Sequence, residues 1–508
     1  MTPPSSAATH TTDRRRFLLG GSATLAACAL PGMVNAQAGG PTPLQLGSPR
    51  PCPSPSQLAW QREELAMFVH IGLNTFTNRE WGDGSEDPAL FNPRRLDARQ
   101  WARAARQAGF GTLILTAKHH DGFCLWPTAT TSHSIAASPW RDGKGDLVRE
   151  FVDACRAEGL GTGIYLSPWD RNHPAYGQGD AYNDVYVAQL TELLSGYGPM
   201  REVWFDGANG EGSNGRRQNY DWQRIHATVR RLQPEAVMFS DAGPDLRWVG
   251  NEDGSAGSTC WSQVDPARVP APGATDSWTL DALQQGDPDG SVWRPAETDV
   301  SIRPGWFWHA QETAEVRSPD NLLGLYFSSV GRNSKLLLNV PPNRDGLFDA
   351  ADLAALEGWH ARREALFSRN LLQTAQVRAS DGEDAAAVLQ PATAQRHWQA
   401  ATNARSGWLE FELAEPICFD VVRLQEAIEH GQHIAGWRLQ TEHAGQWRTA
   451  AWGTTVGHCH LLRIAPVTTR HLRLLIDFAY AQPRIASIGL FRDPAQASTI
   501  QRPDDHSQ

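Results

Sequence analysis

The feature that most limits the fold is an alternation: short apolar runs, each ending in a polar side chain, separated by stretches of helical periodicity. The runs are residues 67–72 (MFVHIG), 111–116 (GTLILT), 161–166 (GTGIYL), 202–207 (EVWFDG) and 236–240 (AVMFS). Between them, residues 96–108, 146–158, 187–197 and 222–233 carry apolar side chains at helical spacing. Strands alternating with helices lie parallel, because each helix returns the chain to the edge where it began. No glycine-rich phosphate loop follows these strands, which favours an irregular (β/α)8-like barrel of α/β class over a dinucleotide fold. Connections lengthen after Gly243, and the barrel is expected to span residues 56–370.

From residue 371 the texture changes to short alternating segments: 408–413 (WLEFEL), 421–424 (VVRL), 436–440 (GWRLQ) and 471–475 (HLRLL). These predict an all-β antiparallel sandwich over residues 371–494, followed by a polar, disordered tail at 495–508. At the other end, Arg14-Arg15-Arg16-Phe17-Leu18 heads a mild apolar run, as in a twin-arginine export signal over residues 1–36. Val34-Asn35-Ala36 offers a cleavage site, and Leu25-Ala26-Ala27-Cys28 offers a lipoprotein box. The expectation is soluble release into the periplasm after Ala36, with a lipid anchor on Cys28 as the alternative. A Pro- and Ser-rich linker occupies residues 37–55.

The 46 basic and 56 acidic residues give a net charge of -10 without a basic block, which argues against nucleic acid as a partner. Twenty tryptophans supply indoles that stack on sugar faces or fill cores. Beyond Cys28, the cysteines Cys52, Cys124, Cys155, Cys260, Cys418 and Cys459 form neither a bridge framework nor a CxxC metal pair.

Chemistry in a parallel barrel collects where strands end. Those ends offer His70, then Lys118-His119-His120-Asp121, then Ser167-Pro168-Trp169-Asp170, then Asp206 and Asp241. A metal-dependent barrel hydrolase needs clustered ligands, yet neither HxH after the first strand nor HExxH is present. A nucleophilic serine lacks its GxSxG elbow. Glu252, in RWVGNEDG, lies beyond the fifth strand with Trp248 nearby, and apolar surroundings raise a glutamic acid's pKa. Asp206 and Glu252 together have the parts for retaining glycoside hydrolysis, provided their carboxyl groups stand about 5–5.5 Å apart. A helix N-cap for Asp206 and a solvated loop acid for Glu252 are the plainer alternatives, and the residues alone leave both open.

FVHIG, NREW, AKHHDGFCLW, YLSPWD, EVWFDG and RWVGNEDG, in this order, resemble the alpha-L-fucosidases of glycoside hydrolase family 29 over residues 51–344. The resemblance implies Asp206 as nucleophile. RWVGNEDG is similar to the subgroup that cleaves alpha-1,3 and alpha-1,4 linked fucose, which implies Glu252 as acid/base, with Asp253 its adjacent competitor. It also implies sugar contacts from His70, Glu80, Trp81, His119 and His120, from Tyr165 or Trp169, and from an aromatic of Arg303-Pro304-Gly305-Trp306-Phe307-Trp308, with Trp306 and Trp308 the first candidates. A family motif HWG stands here as His70-Ile71-Gly72. The sandwich segments resemble galactose-binding-like (F5/8 type C) domains. The expected protein is a retaining exo-alpha-L-fucosidase with no cofactor and no catalytic metal. Its partner is a fucosylated oligosaccharide or glycoprotein glycan, the neighbouring sugar being read near Trp248 and Trp261. A fucose-binding protein without turnover and a metal-dependent barrel hydrolase are the alternatives.

Overall fold

The structure, a computed structural model, describes residues 50–495 apart from residues 275, 383 and 393–395. The expectations for the signal, Cys28, Ala36, most of the linker and the tail beyond residue 495 fall outside the described residues.

Strands β1 (Leu65–Val69), β2 (Thr112–Lys118), β3 (Gly161–Leu166), β4 (Glu202–Trp204), β5 (Val237–Phe239) and β6 (Arg247–Trp248) come first. A ribbon of β7 (Gln263–Val264) and β8 (Val292–Trp293) follows, then β9 (Ala296–Ser301) and β10 (Ser334–Asn339). The eight-stranded sheet runs β5-β4-β3-β2-β1-β10-β9-β6, and its pairs are parallel. The ladder ends at β5 and β6, so the barrel is nearly closed. The helices are α1 (Pro55–Glu63), α2 (Leu73–Thr77), α3 (Ala98–Ala108), α4 (Leu147–Ala157), α5 (Asp180–Gly196), α6 (Trp222–Leu232), α7 (Ser277–Gln285), α8 (Pro319–Ser328) and α9 (Ala350–Phe367). Aspartates begin several of them: Asp97, Asp146, Asp221 and Asp349 accept first-turn amides of α3, α4, α6 and α9. Each such cap is worth about 1 kcal/mol.

Helix α1 closes the end of the barrel where the strands start. Ser54 and Gln57 cap it reciprocally, and Trp60, fully buried, packs with Phe68, Ile114, Trp204 and Leu337. Its indole Nε1 donates to Glu202 Oε2 at 2.8 Å. Burial pushes the pKa of Glu202 up and that of Glu297 further up. The end beneath the strands is therefore filled, and a ligand must enter where the strands finish.

The C-terminal domain contains β11 (Gln376–Ala379), β12 (Trp398–Gln399), β13 (Gly407–Glu426), β14 (Ile434–His443), β15 (Gln446–Gly453), β16 (His460–Ala479) and β17 (Arg484–Phe491). They form a seven-stranded antiparallel sheet around a separate core that includes Trp398, Phe411, Trp437 and Leu474. Segments 408–413 and 421–424, read as separate strands, belong to one long β13 with a register shift between Glu412 and Ile417. Val421, Cys459, Leu461 and Phe491 join the barrel's own core, and two polar contacts reinforce it: the ion pair of Arg62 with Glu429 at 3.2 Å and the hydrogen bond between His458 Nε2 and Glu64 at 3.1 Å.

Candidate active site

His70 follows β1 directly and is 4% exposed. Asn339 ends the neighbouring β10, paired in register with Phe68, and its Oδ1 lies 2.7 Å from His70 Nδ1. The Asn339 amide orientation is fixed, because its Nδ2 donates to the Trp306 carbonyl at 2.8 Å and to Ser301 Oγ at 2.9 Å. His70 Nδ1 must therefore carry the proton, and Nε2 remains an acceptor. Burial pulls the His70 pKa down to about 3, so the ring is neutral over the physiological range. Around it stand the rings of Trp306 at 5.2 Å, Phe307 at 5.5 Å and His119 at 5.8 Å.

The histidine pair after β2 forms the next wall. His119 stacks on Tyr165 at 5.9 Å and 19°, and His120 lies 4.1 Å from His119, centroid to centroid. The Ser167 hydroxyl gives its single proton to the Trp169 carbonyl at 2.7 Å. Its oxygen must then accept from His120 Nδ1, 2.8 Å away. His120 is thereby held with its Nδ1 proton on Ser167 and its Nε2 toward Asp206 Oδ2, 3.9 Å away.

Asp206 sits just past β4 and is 4% exposed. Its Oδ1 accepts the Ala208 amide at 2.7 Å, and its Oδ2 accepts the Tyr165 hydroxyl at 3.1 Å. It caps no helix: α6 begins only at Trp222, with Asp221 as its N-cap. Gly207 is required next to it, because a Cβ there would meet Asp241 Oδ2 at 2.2 Å. Asp241, after β5, accepts the Gly273 amide at 2.8 Å and so ties a distant loop against the Asp206 turn.

Trp81 and Trp169 lie over His120, with ring centroids 6.2 and 4.9 Å from it. Glu80 takes hydrogen bonds from the Trp306 and Phe307 amides and from His309 Nε2 at 3.2 Å. That carboxylate fixes the loop bearing Trp306. Trp308 points elsewhere, 5.9 Å from the Arg303 guanidinium, and Phe307 instead joins the rings around His70. Glu252 follows β6 on the same barrel face and is half-buried, whereas Asp253 is exposed. Asn251 shapes their loop, accepting the Asp253 amide at 3.0 Å and donating to the Ser255 carbonyl at 2.9 Å. Beside it, Trp248 Nε1 donates to Asp299 Oδ1 at 2.8 Å.

Some strand-end residues serve the wall behind the pocket. Lys118 and Asp170 pair at 3.1 Å, both buried, and Lys118 also reaches Tyr182 and Gln189 on α5. Burial alone would raise the Asp170 carboxyl, but Lys118 and the His173 amide outweigh it and hold that carboxyl below its ordinary value. Asp121 is buried against Gly82, and burial raises its pKa to about 7. Trp261 is 3% exposed and packs 5.6 Å from Tyr480 of the C-terminal domain, so it is unavailable to a neighbouring sugar. Sequence reasoning missed Asn339 and His309, and Phe307 was included only as one aromatic of the run 303–308; Asn339 ends an apolar run just as the recognised polar residues do.

Taken together, a buried carboxylate, imidazole rings and aromatic faces converge on one barrel mouth. This set can bind a small polyhydroxylated ring and attack one of its carbons.

A family model described as Alpha-L-fucosidase matches residues 73–360. A protein of Oryza sativa subsp. japonica is 45% identical over 91% of this chain and 88% of its own length. Alpha-L-fucosidase 1 of Arabidopsis thaliana is 43% identical over 89% of this chain and 90% of its own. Among solved structures, SpGH29 superposes with a TM-score of 0.82 at 41% identity, covering 88% of this chain and 99% of that one. A Ruminococcus gnavus GH29 fucosidase in complex with fucose superposes with a TM-score of 0.79 at 31% identity, covering 87% of this chain and 95% of that one.

Proposed function

The chain belongs to the alpha-L-fucosidase family, glycoside hydrolase family 29, and on that premise we propose a specific reaction for it. It removes alpha-1,3- or alpha-1,4-linked L-fucose from the non-reducing ends of branched oligosaccharides or glycoprotein glycans, with retention. Asp206 is the nucleophile and Glu252 the acid/base.

The observation that carries this reading is the setting of Asp206. Its oxygens are held from two sides, by the Ala208 amide at 2.7 Å and the Tyr165 hydroxyl at 3.1 Å, so little motion is left to freeze before attack. As Asp206 bonds to the anomeric carbon, Glu252 gives a proton to the departing glycosidic oxygen. The resulting glycosyl-enzyme is opened by water that Glu252 deprotonates, returning both carboxyl groups to their starting states. His70 offers its Nε2 as an acceptor to a hydroxyl group of the sugar, His120 lies beside Asp206, and His119, Tyr165 and Trp169 line the same pocket. Trp306, Phe307 and Trp81 supply apolar surface for the C5 methyl group. Glu80 acts by holding the Trp306 loop. The half-buried setting of Glu252 against exposed Asp253 favours Glu252 as the proton donor.

Export is part of the same proposal: the Arg14-Arg15-Arg16-Phe17-Leu18 head directs the chain to the periplasm, where fucosylated glycans from outside the cell arrive. No helix among the described residues is long and apolar enough to cross a membrane.

The test is fucose release from an oligosaccharide branched with alpha-1,3 or alpha-1,4 fucose, beside an aryl alpha-L-fucoside. Asp206→Ala should keep the fold and lose turnover of both, and azide should restore cleavage of the aryl substrate. Full activity in that variant would reject the nucleophile. Equal cleavage of all linkages would reject the linkage preference, and binding of fucose without release by the native chain would reject catalysis.

A further inference from the structure

At the opposite end of the barrel from the active site, the C-terminal domain brings together His397, Glu429 and His430. One potential ligand atom from each lies within 4.8 Å of the other two. We propose that these residues form a binding site for a transition-metal ion such as Zn2+.

Two of the donors are poorly served by the protein itself. Among the described residues, His397 Nδ1 and Glu429 Oε1 are buried with no hydrogen-bond partner, a condition that is costly for each group. A metal ion would satisfy both. The His397 and His430 ring centroids are 5.0 Å apart, which lets both nitrogens turn toward one point. Zinc ligands at about 2.0–2.1 Å in a tetrahedron stand roughly 3.3 Å from one another. Closing the trio from its present spacing asks for a shift of about 1.5 Å or less, within reach of a side-chain rotation at exposed His430. Glu429 also borders a cavity of ≈ 280 Å³ lined by Arg62, Glu64, Arg423 and Glu426, which leaves room for water as a fourth ligand.

The donor set selects the metal. Two imidazoles and one carboxylate suit Zn2+ and its neighbours, whereas Ca2+ and Mg2+ require oxygen cages. Arg62, 3.2 Å from Glu429 Oε2, opposes a hard cation held by charge alone. Glu429 also receives Arg62 from α1. Metal at this point fixes the turn Ile428–His430 and, through it, the Arg62–Glu429 ion pair joining barrel and sheet, so its expected role is stabilisation.

The test uses untagged full-length protein stripped with EDTA, titrated calorimetrically with Zn2+ and separately with Ca2+. Thermal unfolding and aryl-fucoside cleavage are read in parallel. The expected result is one Zn2+ per chain and a raised Tm, with affinity at least tenfold weaker in His430→Ala and in His397→Ala. Ca2+ should produce neither effect, and cleavage by His430→Ala should match the native chain. Absence of Zn2+ binding, unchanged affinity in both variants, or equal binding of Ca2+ would each overturn the proposal. His430 is exposed, so its variant gives a reading even if His397→Ala fails to fold.

Discussion

Replacing Asn339 by aspartate tests whether the neutral His70 ring serves the sugar. The change swaps one NH2 group for an oxygen at a fully buried position. Burial holds His70 at about 3 against an ordinary 6.5, which corresponds to roughly 5 kcal/mol opposing the imidazolium. A carboxylate in hydrogen-bond contact raises such a pKa by about 1–3 units, bringing His70 to about 4–6. At neutral pH the variant ring therefore stays neutral and Nε2 still accepts. Below about pH 6 the ring takes a proton, Nε2 becomes a donor, and the sugar hydroxyl that had given it a hydrogen bond loses its partner. The fall of kcat/KM on the acid side should begin about 1–3 pH units higher than in the native enzyme. Two further bonds are lost, from Nδ2 to the Trp306 carbonyl and to Ser301; stranding those acceptors costs about 1–3 kcal/mol each. That loss should appear in thermal unfolding, and the loosened Trp306 should raise KM at neutral pH several-fold. The assay is aryl-fucoside cleavage from about pH 4 to pH 8 beside a circular-dichroism melt. A folded variant with a lower Tm whose pH profile overlays the native one would refute the role given to His70.

For Glu252→Ala, cleavage of oligosaccharides should fall by about 100-fold or more, and cleavage of a fucoside with an acidic phenol leaving group much less, since that group departs without a proton; equal losses in steady-state kinetics would point to another acid. Burial raises the Asp121 carboxyl from 3.8 to about 7, so it is protonated in the folded chain while the unfolded chain ionises it. Its contribution to stability is full below about pH 4 and disappears as pH rises through about 7. Relative to Asp121→Asn, the native protein should lose up to about 4 kcal/mol between those limits in urea unfolding, and parallel curves would disprove the assignment. Lys118→Met should destabilise by about 3–5 kcal/mol through the stranded Asp170, and adding Asp170→Asn should recover part of it; a double variant no better than the single would show that the pair is not the cause.

Much of the barrel was legible because strand and helix differ in period. Segment 161–166 coincides with β3, and the helices predicted at 96–108 and 222–233 differ from α3 and α6 by at most a turn's fraction at their ends. What escaped depends on contacts distant in sequence. Lys118 looked like a pocket residue because it precedes the histidines, but a register shift between Thr116 and Lys118 breaks the alternation of faces and turns it toward α5. Strand β6 is two residues long and pairs with β9 rather than β5, a crossover that no local pattern announces. Trp248 and Trp261 looked equivalent as loop indoles; packing against Tyr480 buries the second. Asn339 was overlooked because an amide before Val340 and Pro341 reads as turn chemistry, and its importance lies in orienting His70 from the adjacent strand.

The most direct measurement of the central claim is to trap the glycosyl-enzyme. Incubation with 2-deoxy-2-fluoro-fucosyl fluoride, followed by proteolysis and mass spectrometry, should find one fluorofucosyl group on the peptide containing Asp206 and none in Asp206→Ala. The adduct on a peptide carrying Asp241 or Asp299 instead, or turnover of the reagent with inversion and no adduct, would contradict the account.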